Sequence, residues 1–231
     1  MKAAGGESSR KDRIVIYGAS SFASLMRAHF DREGGFEVAA RAVDRPYLAA
    51  AGKEGPTLVP FDEVETAYPP AEYAMFLAIG YRNMRDRERM FQKAKEKGYR
   101  LVNHVSHDAR VCDPEAMGEN NVILGGSILE PFVRLGDNNI IWSGSILCHG
   151  TRVGDHNFFA AGTILGGECV VGNRCFLGFG ATVTAHTTVA DETLVGARSL
   201  ILHDTVPATK YLGAPARSSG THAERGIEIL D

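Results

Sequence analysis

The feature that most constrains this chain is a six-residue period of large apolar residues in its second half. Seventeen successive positions in this period are large and apolar, although apolar residues make up only 44% of the 231-residue chain. Such a run arises by chance on the order of once in a million for a given phase. A period of six fits neither an α-helix nor an ordinary half-buried strand. The positions are Val105, Val111, Met117, Ile123, Leu129, Leu135, Ile141, Leu147, Val153, Phe159, Leu165, Val171, Leu177, Val183, Val189, Val195 and Ile201.

This period predicts an all-β parallel solenoid in which three short strands make one triangular coil of about 18 residues. One large residue on each side fills the interior, and the residue two positions before it is mostly small. Residues 18 apart would stack one strand spacing from each other, about 4.8 Å. The residue after the large one is often glycine, which we expect at corners with unusual dihedral angles, as at Gly118, Gly136, Gly154, Gly166, Gly172, Gly178 and Gly196.

The first part of the chain predicts an α/β domain with a small parallel sheet. Residues 13–17, 36–43 and 74–79 have the pattern of strands, and helical segments end near residues 30 and 97. Strands and helices alternate, which favours a parallel sheet with helices on its faces. We therefore divide the chain into a flexible start (1–12), a Rossmann-like domain (13–104), a β-helix (105–206) and a C-terminal cap and tail (207–231).

Gly18 follows the first strand and opens a helix, which raises the question of a dinucleotide site. Residues 18–23 lack the second and third glycines of the dinucleotide fingerprint, and Asp44 is only loosely where a ribose-binding acid would lie. A nicotinamide cofactor is therefore disfavoured. The simplest structural alternative is a strand-to-helix turn and an aspartate that ends a strand.

Composition excludes several functional classes. The net charge of −3, with scattered Lys and Arg, argues against a nucleic-acid or membrane surface. No apolar run approaches the roughly 20 residues of a membrane span, and the polar first twelve residues lack the core of a secretory signal. The four cysteines form no zinc-binding spacing, so we expect free thiols, a cytoplasmic location and no metal.

Three segments around the repeat carry a resemblance to a known family. They are residues 14–18 (IVIYG), 78–80 (AIG) and 213–217 (GAPAR). With the repeat, they resemble the hexapeptide-repeat sugar O-/N-acyltransferases, which include sialic-acid O-acetyltransferases and bacillosamine-type N-acetyltransferases. The resemblance spans about residues 13–217. It implies a left-handed β-helix, a sugar-nucleotide-binding first domain and transfer of an acetyl group from acetyl-CoA.

His149 is the candidate general base for acyl transfer. It lies two residues after Leu147, so its side chain points outward near a corner, and it falls where relatives carry the catalytic histidine. Gly167 follows 18 residues later, and a residue without a side chain leaves room beside the imidazole and a backbone N–H for the acetyl carbonyl or the pantetheine. The plain alternative is a solvated surface histidine, which is also how we interpret His156, His186 and His203.

This sequence departs from the family's pattern directly after His149. Relatives usually have Glu or Asp next, which orients the imidazole, whereas this chain has Gly150. Glu168, one coil from Gly150, is our candidate replacement, and Asp155 is a second candidate. A further histidine of some relatives is Phe158 here.

The resemblance also implies binding residues and a homotrimer with acetyl-CoA in the groove between two prisms. Trp142 would stack on a sugar or instead pack at an interface, and Phe158 and Phe176 would face a neighbouring subunit or the pantetheine channel. Cys169 and Cys175 occupy the small interior position, so we expect them in the core, and an acyl-cysteine at Cys148 is disfavoured. The acetyl-CoA set is Gly167, Phe179, Ala197 and Arg217, and the sugar-nucleotide set is Gly18, Ser20, Asp44, Gly80 and Trp142.

The sequence thus predicts a sugar N- or O-acetyltransferase of surface-polysaccharide or glycan biosynthesis. One alternative keeps the fold but uses another acyl donor or a sugar without a nucleotide. Another, from a different class, is a non-catalytic β-helix that binds a sugar nucleotide or a partner protein; Gly150 in place of an acid favours it.

Overall fold

The computed structural model describes residues 12–49, 51 and 55–229. The predicted flexible start lies outside these residues except for Asp12. Within the described part of the chain, no helix has both the length and the apolar character to cross a membrane.

The first domain is a four-stranded parallel sheet with the strand order β3-β2-β1-β4, as predicted. Short 3₁₀ turns occur at Arg45–Tyr47 and Phe61–Glu63. The elements are β1 (Asp12–Tyr17), α1 (Ser21–Glu33), β2 (Phe36–Val43), β3 (Thr57–Pro60), α2 (Val64–Ala67), β4 (Ala74–Leu77) and α3 (Met84–Glu96).

Local sequence explains the two long helices. Ser20 caps α1 by accepting a hydrogen bond from the Ala23 amide, and Asn83 caps α3 in the same way. On α1, Phe22, Met26 and Phe30 recur every four residues and are buried, which gives the helix one apolar face. That face packs between the sheet and the β-helix that follows.

The second half is a parallel β-helix of two-residue strands separated by four-residue corners. A 3₁₀ turn lies at Pro114–Ala116 in the first coil. The strands are β5 (His104–Val105), β6 (Arg110–Val111), β7 (Val122–Ile123), β8 (Ile128–Leu129), β9 (Arg134–Leu135), β10 (Ile140–Ile141), β11 (Ile146–Leu147), β12 (Arg152–Val153), β13 (Phe158–Phe159), β14 (Ile164–Leu165), β15 (Val170–Val171), β16 (Phe176–Leu177), β17 (Thr182–Val183), β18 (Thr188–Val189), β19 (Leu194–Val195) and β20 (Leu200–Ile201), followed by β21 (Thr209–Leu212) and β22 (Arg217–Thr221).

These strands stack into the three faces of a prism. The first face has the order β22-β21-β19-β16-β13-β10-β7-β5, the second β20-β17-β14-β11-β8-β6, and the third β18-β15-β12-β9. Residues 18 apart are paired throughout the stacked coils, as for Ile146 and Ile164, which is the predicted register. We call residues 142–145 and their stacked equivalents the first corner, 148–151 the second and 154–157 the third.

The apolar residues of the six-residue period fill the interior of the prism. All fourteen from Ile123 to Ile201 are at most 5% exposed. At the start of the stack, Val111 and Met117 are only half-buried. The prediction was wrong for Val105, which is 36% exposed. The first coil has a neighbouring coil on one side only, so its large residues are covered less completely.

The glycines that follow the core positions serve a different purpose from the one predicted. They do not have positive φ; instead, a Cβ at Gly136 would lie 2.9 Å from the carbonyl oxygen of Gly154 in the next coil. Close packing of successive coils therefore excludes a side chain there. The left-handed positions lie elsewhere: every sixth residue from Asn120 to Arg198 has φ between 53° and 73°. The corners turn at these residues.

A polar column on the third corner joins the β-helix to the first domain. Arg87 of α3 is buried and donates a hydrogen bond of 2.6 Å to the Ile79 carbonyl and another to the Asn138 carbonyl. The α3 side chains Glu88 and Arg85 pair with the column at its far end. The column consists of Asn120, Asn138, His156, Arg174 and Glu192, each 18 residues after the last.

Candidate active site

His149 lies on the second corner of the prism with its side chain exposed, as predicted. Its backbone carbonyl accepts a hydrogen bond of 2.8 Å from the Glu168 amide in the next coil, which fixes the position of the corner. Among the described residues, no side chain forms a hydrogen bond with the His149 ring. The ring nitrogens are therefore available to a ligand.

The imidazole of His149 lies directly against Gly167, as the stacking predicted. A Cβ at Gly167 would lie 2.6 Å from His149 Nε2 and 2.7 Å from Cε1, so any larger residue would displace the ring. Within the described part of the chain, the Gly167 amide donates no intramolecular hydrogen bond, whereas its carbonyl accepts one from His186. The second corner thus combines a ring that can accept a proton with a free backbone donor.

Glu130 is a neighbour of His149 that the sequence analysis missed. Its Oε2 accepts a hydrogen bond of 2.8 Å from the His149 amide. Glu130 lies 18 residues before Cys148, so counting back one coil would have found it. The analysis counted forward only, towards Glu168.

Neither predicted replacement for the missing acid contacts the His149 ring. Glu168 passes over Gly150, whose added Cβ would lie 3.2 Å from Glu168 Cγ, but the carboxylate lies 3.5 Å from His186 Nδ1. Asp155 lies on the third corner, where its Oδ1 accepts a hydrogen bond of 2.7 Å from the Asp137 amide. The acidic side chain bonded to His149 itself is that of Glu130.

A second group of predicted residues lines a cleft at the first corner. The cleft has a volume of about 320 Å³ and lies between α1, the end of the first domain and the prism. It brings together Gly80, Trp142 and Phe179, and Phe179 is 63% exposed. The other lining residues are Ser21, Phe22, Leu25, Tyr81, Phe158 and Ala160.

Aromatic rings dominate this cleft and face the first domain. The Trp142 ring lies 5.9 Å from the rings of Phe22 and Phe158, and Tyr81 lies 4.7 Å from Phe158. Phe158 in turn stacks on Phe176 at 5.3 Å. Phe158 and Phe176 therefore pack against this chain's own first domain, rather than facing a neighbouring subunit. Flat, partly exposed rings provide stacking surfaces for a base or a sugar face.

The predicted residues of the first domain are divided between two places. Gly18 passes close to β4, where its Cβ would lie 2.7 Å from the Ala78 carbonyl oxygen. The Gly18 amide is bonded to the Ala42 carbonyl at 2.9 Å, so the predicted free N–H at Gly18 was wrong. Ser20 uses its hydroxyl oxygen to cap α1, next to the cleft.

Asp44 lies on a different side of the sheet from the cleft. It accepts a hydrogen bond of 3.1 Å from the Tyr17 hydroxyl and lines a separate depression with Arg45 and Lys97. Burial, followed by the nearby Asp44 charge, raises the pKa of Tyr17 well above its usual range. The hydroxyl of Tyr17 therefore stays protonated and donates to Asp44.

The remaining acetyl-CoA residues lie towards the C-terminal end of the prism. Ala197 is exposed on the first corner, one coil beyond Phe179. Arg217 is exposed at the start of β22, paired opposite Leu212. The structure brings neither of them to the second corner.

Within one chain, then, the predicted residues form two groups separated by the second face. Trp142, Phe179 and Ala197 lie on the first corner, whereas His149 and Gly167 lie on the second. One side of the prism spans six residues, at most about 20 Å. His149 does not line the cleft of its own chain.

The cysteines lie where the sequence placed them. Cys169 and Cys175 are buried in the core, and all four thiols are free. Burial and the nearby Glu130 raise the pKa of Cys148, which lowers its thiolate fraction and disfavours an acyl-cysteine.

The surface interpretation of the other histidines holds for His186 and His203 but was wrong for His156. His156 is 4% exposed, its Nδ1 lies 3.0 Å from Asn138 Nδ2, and its ring packs on Phe91. The third corner is covered by α3, which the repeat alone did not reveal.

Comparison with solved structures identifies similar proteins. PerB from Caulobacter crescentus, in complex with CoA and GDP-perosamine, superposes with a TM-score of 0.79 at 29% identity and covers 90% of this chain and 97% of its own. A histidine-to-asparagine variant of perosamine N-acetyltransferase from the same organism gives a TM-score of 0.71 at 26% identity, with 90% and 96% of the two chains covered. The acetyltransferase domain of PglB from Neisseria gonorrhoeae FA1090 gives a TM-score of 0.78 at 19% identity, covers 90% of this chain and all of its own, and supports the fold alone.

These neighbours are sugar N-acetyltransferases of the hexapeptide-repeat type, which confirms the predicted resemblance and the left-handed parallel β-helix. No protein-family model matches the chain. A search of curated protein sequences finds no match either.

Proposed function

We propose that this chain is an acetyl-CoA-dependent acetyltransferase that modifies an amino or hydroxyl group of a nucleotide-linked sugar, with His149 as the general base. The observation that carries the proposal is the exposed His149 ring lying against Gly167, whose amide has no intramolecular acceptor. The similarity to PerB, whose structure contains CoA and GDP-perosamine, supports this donor and this class of acceptor.

The chemistry of the second corner fits acyl transfer. An imidazole nitrogen of His149 accepts the proton of the attacking amine or hydroxyl as that group adds to the thioester carbonyl. The Gly167 amide donates a hydrogen bond to the oxygen that becomes negative in the tetrahedral intermediate. When the intermediate collapses, the carbon–sulfur bond breaks, and the proton on His149 passes to the departing thiolate.

We assign Glu130 the role of the acid that relatives carry directly after the histidine. Its hydrogen bond to the His149 amide places a carboxylate beside the corner that holds the ring. A negative charge there favours the protonated imidazole that forms during the reaction. Glu130 therefore acts through His149 and is a positioning residue.

The separation of the two groups of residues supports a site shared between subunits. The cleft lies on the first corner and His149 on the second, so a single chain does not place the base beside the cleft. The second face between them carries an apolar row, Ile128, Ile146, Ile164 and Leu200, with Ile164 39% exposed. A threefold arrangement that covers this row would bring the second corner of one prism to the first corner of the next. We therefore favour a homotrimer with acetyl-CoA between prisms.

The first test is acetyl transfer by the purified chain. Acetyl-CoA is mixed with GDP-, UDP- and dTDP-linked amino sugars, and also with hydroxyl-bearing counterparts that lack the amine. Thiol release is followed and the product is weighed by mass spectrometry. We expect an acceptor-dependent rate that falls at least about 100-fold in His149→Ala, because general-base catalysis typically contributes that much.

A matched variant and a competing function sharpen this test. His203→Ala, in the same stacked column but three coils away, should leave the rate unchanged. If wild-type protein and His149→Ala gave the same background rate with every acceptor, the enzyme proposal would be wrong. Sugar-nucleotide binding without turnover would instead support the non-catalytic alternative, which Gly150 favours.

A further inference from the structure

A cluster of three histidines and one glutamate lies outside the proposed active site, where α1 ends against the first coil of the prism. His29 and Glu33 are four residues apart on α1 and therefore share one face of the helix. His104 comes from β5, and His107 follows it in the same coil. The cluster joins two parts of the chain that are more than seventy residues apart in sequence.

The donor atoms of this cluster converge on one point. One ligand atom each from His29, Glu33 and His104 can be chosen so that all three lie within 4.8 Å of one another. Glu33 Oε1 lies 3.5 Å from His29 Nδ1 and 3.8 Å from His107 Nδ1, and Glu33 Oε2 lies 3.9 Å from His104 Nε2. With metal–nitrogen bonds of about 2.0–2.1 Å, tetrahedral ligands lie about 3.3–3.5 Å apart, so small movements of these side chains would complete the geometry.

We propose that His29, Glu33 and His104 bind a divalent transition-metal ion of the Zn²⁺ class, with His107 as a fourth ligand. Two or three imidazoles and one carboxylate are the ligand types that Zn²⁺ takes in tetrahedral sites. His104 is 4% exposed and the Glu33 side chain is 10% exposed, so the site is sheltered from water at its inner side. One carboxylate does not need three imidazoles as hydrogen-bond partners, whereas a metal ion does use them.

Arg32 is the competitor of the ion. Its Nη2 lies 3.1 Å from His29 Nδ1 and 3.2 Å from Glu33 Oε1, so the guanidinium balances the carboxylate charge in this structure. The Arg32 side chain is 65% exposed and can swing into solvent. His104 also keeps a contact with Ser106, whose Oγ lies 3.3 Å from Nε2.

The ion would fix α1 to the prism. The last turn of α1 carries the ligands, and its first turn carries Ser21 and Phe22, which line the aromatic cleft. Clamping one end of the helix limits the movement of the other. The role is structural, and the inference does not rest on the proposed acetyltransferase function.

The test uses the full chain after treatment with a chelator, with Co²⁺ as the probe. We expect one equivalent of Co²⁺ per chain to produce the visible absorption of a tetrahedral site, to be displaced by Zn²⁺ and to raise the melting temperature. Glu33→Gln should weaken Co²⁺ binding at least about tenfold, since it removes a ligand. Arg32→Ala should strengthen binding, because it removes the competing cation.

Two controls decide the outcome. Glu37→Gln, at an exposed glutamate on the adjacent β2, should bind Co²⁺ as wild type does. His104→Gln changes a buried position and could fail to fold, so Glu33→Gln and Arg32→Ala carry the test, with circular dichroism as the check on folding. Equal affinity in wild type and Glu33→Gln, or more than one weak equivalent without a tetrahedral spectrum, would mean an adventitious ion only and would overturn the proposal.

Discussion

His149 and His156 lie seven residues apart on the same coil, and the prism gives them opposite environments. His149 is exposed on the second corner, and its ring has no hydrogen-bond partner among the described side chains. His156 is buried on the third corner, between Asn138 and Phe91. The same six-residue repeat produces both corners, so the repeat does not decide what each histidine does. What packs against the corner decides it, since α3 covers the third corner and no part of this chain covers the second.

The largest effect we expect in a comparison of these corners comes from Gly167→Ala. The new Cβ would lie 2.6 Å from His149 Nε2, so the ring must move. Displacing a catalytic group by about 1 Å can cost roughly 100-fold in rate, and we expect a loss of that order in kcat with an unchanged melting temperature. The measurement is steady-state acetyl transfer beside thermal unfolding. Ala185→Ser, one coil further along the same column, is the control. A rate within about twofold of wild type would show that the ring's position is not critical.

His156→Gln should reverse this pattern. The change removes the ring packed on Phe91 and disturbs the contact with Asn138. We expect the free energy of unfolding to fall by about 1–3 kcal/mol, while kcat below the melting temperature is retained. Denaturant unfolding and acetyl transfer are the two measurements. His186→Gln is the matched control, because His186 has the same left-handed backbone but an exposed side chain. Equal stability of the two variants would contradict the comparison.

The buried histidine should also make stability depend on pH. Burial lowers the pKa of His156 below its usual value of 6.5, although Glu88 and Asp155 oppose the shift and Arg87 and Arg174 add to it. The unfolded chain therefore takes up a proton near pH 6.5 that the folded chain refuses. The contribution of the neutral ring is complete above about pH 6.5 and is lost as the pH falls towards the folded value, by at most about 1.4 kcal/mol per pH unit.

Denaturant unfolding of wild type and His156→Gln between pH 7 and pH 5 measures this dependence. The difference in unfolding free energy between the two proteins should shrink as the pH falls. A constant difference across this range would show that His156 does not titrate differently in the folded and unfolded chains.

The sequence predicted the prism well because every coil repeats the same local rule. A large residue every sixth position can be buried in only one kind of solenoid, so register, core and stacking follow from counting. The same counting placed His149 against Gly167. Those predictions use only contacts between one coil and the next.

The predictions that were wrong depend on contacts between distant parts of the chain. His156 is buried because α3 lies on the third corner, and no periodicity of the repeat encodes where α3 docks. The Gly18 amide is bonded because β2 ends beside it. Glu130 was within reach of counting but required stepping backwards by one coil. Local rules therefore gave the scaffold, whereas the partners of each site residue required the tertiary structure.

Glu130→Gln tests the acid below His149 and should have a smaller effect than Gly167→Ala. Glutamine keeps an acceptor for the His149 amide but removes the charge, and the difference between a charged and a neutral hydrogen bond is about 1 kcal/mol. We expect kcat to fall about fivefold with KM unchanged, and Glu115→Gln, at an exposed position, to have no effect. An unchanged kcat would reduce Glu130 to a cap of the corner.

The smallest effect should come from Glu168→Gln, which tests the acid above His149. In this structure the Glu168 carboxylate lies 3.5 Å from His186 Nδ1, and both side chains are largely exposed. Exposed pairs of this kind contribute little, so kcat and stability should stay within about twofold of wild type. Glu168 nevertheless crosses Gly150, the position where relatives carry their acid. A loss of tenfold or more in kcat would therefore mean that the carboxylate turns from His186 to His149 when substrates bind. Repeating the measurement in His186→Gln distinguishes the two cases, since removing the competing imidazole would then increase the rate.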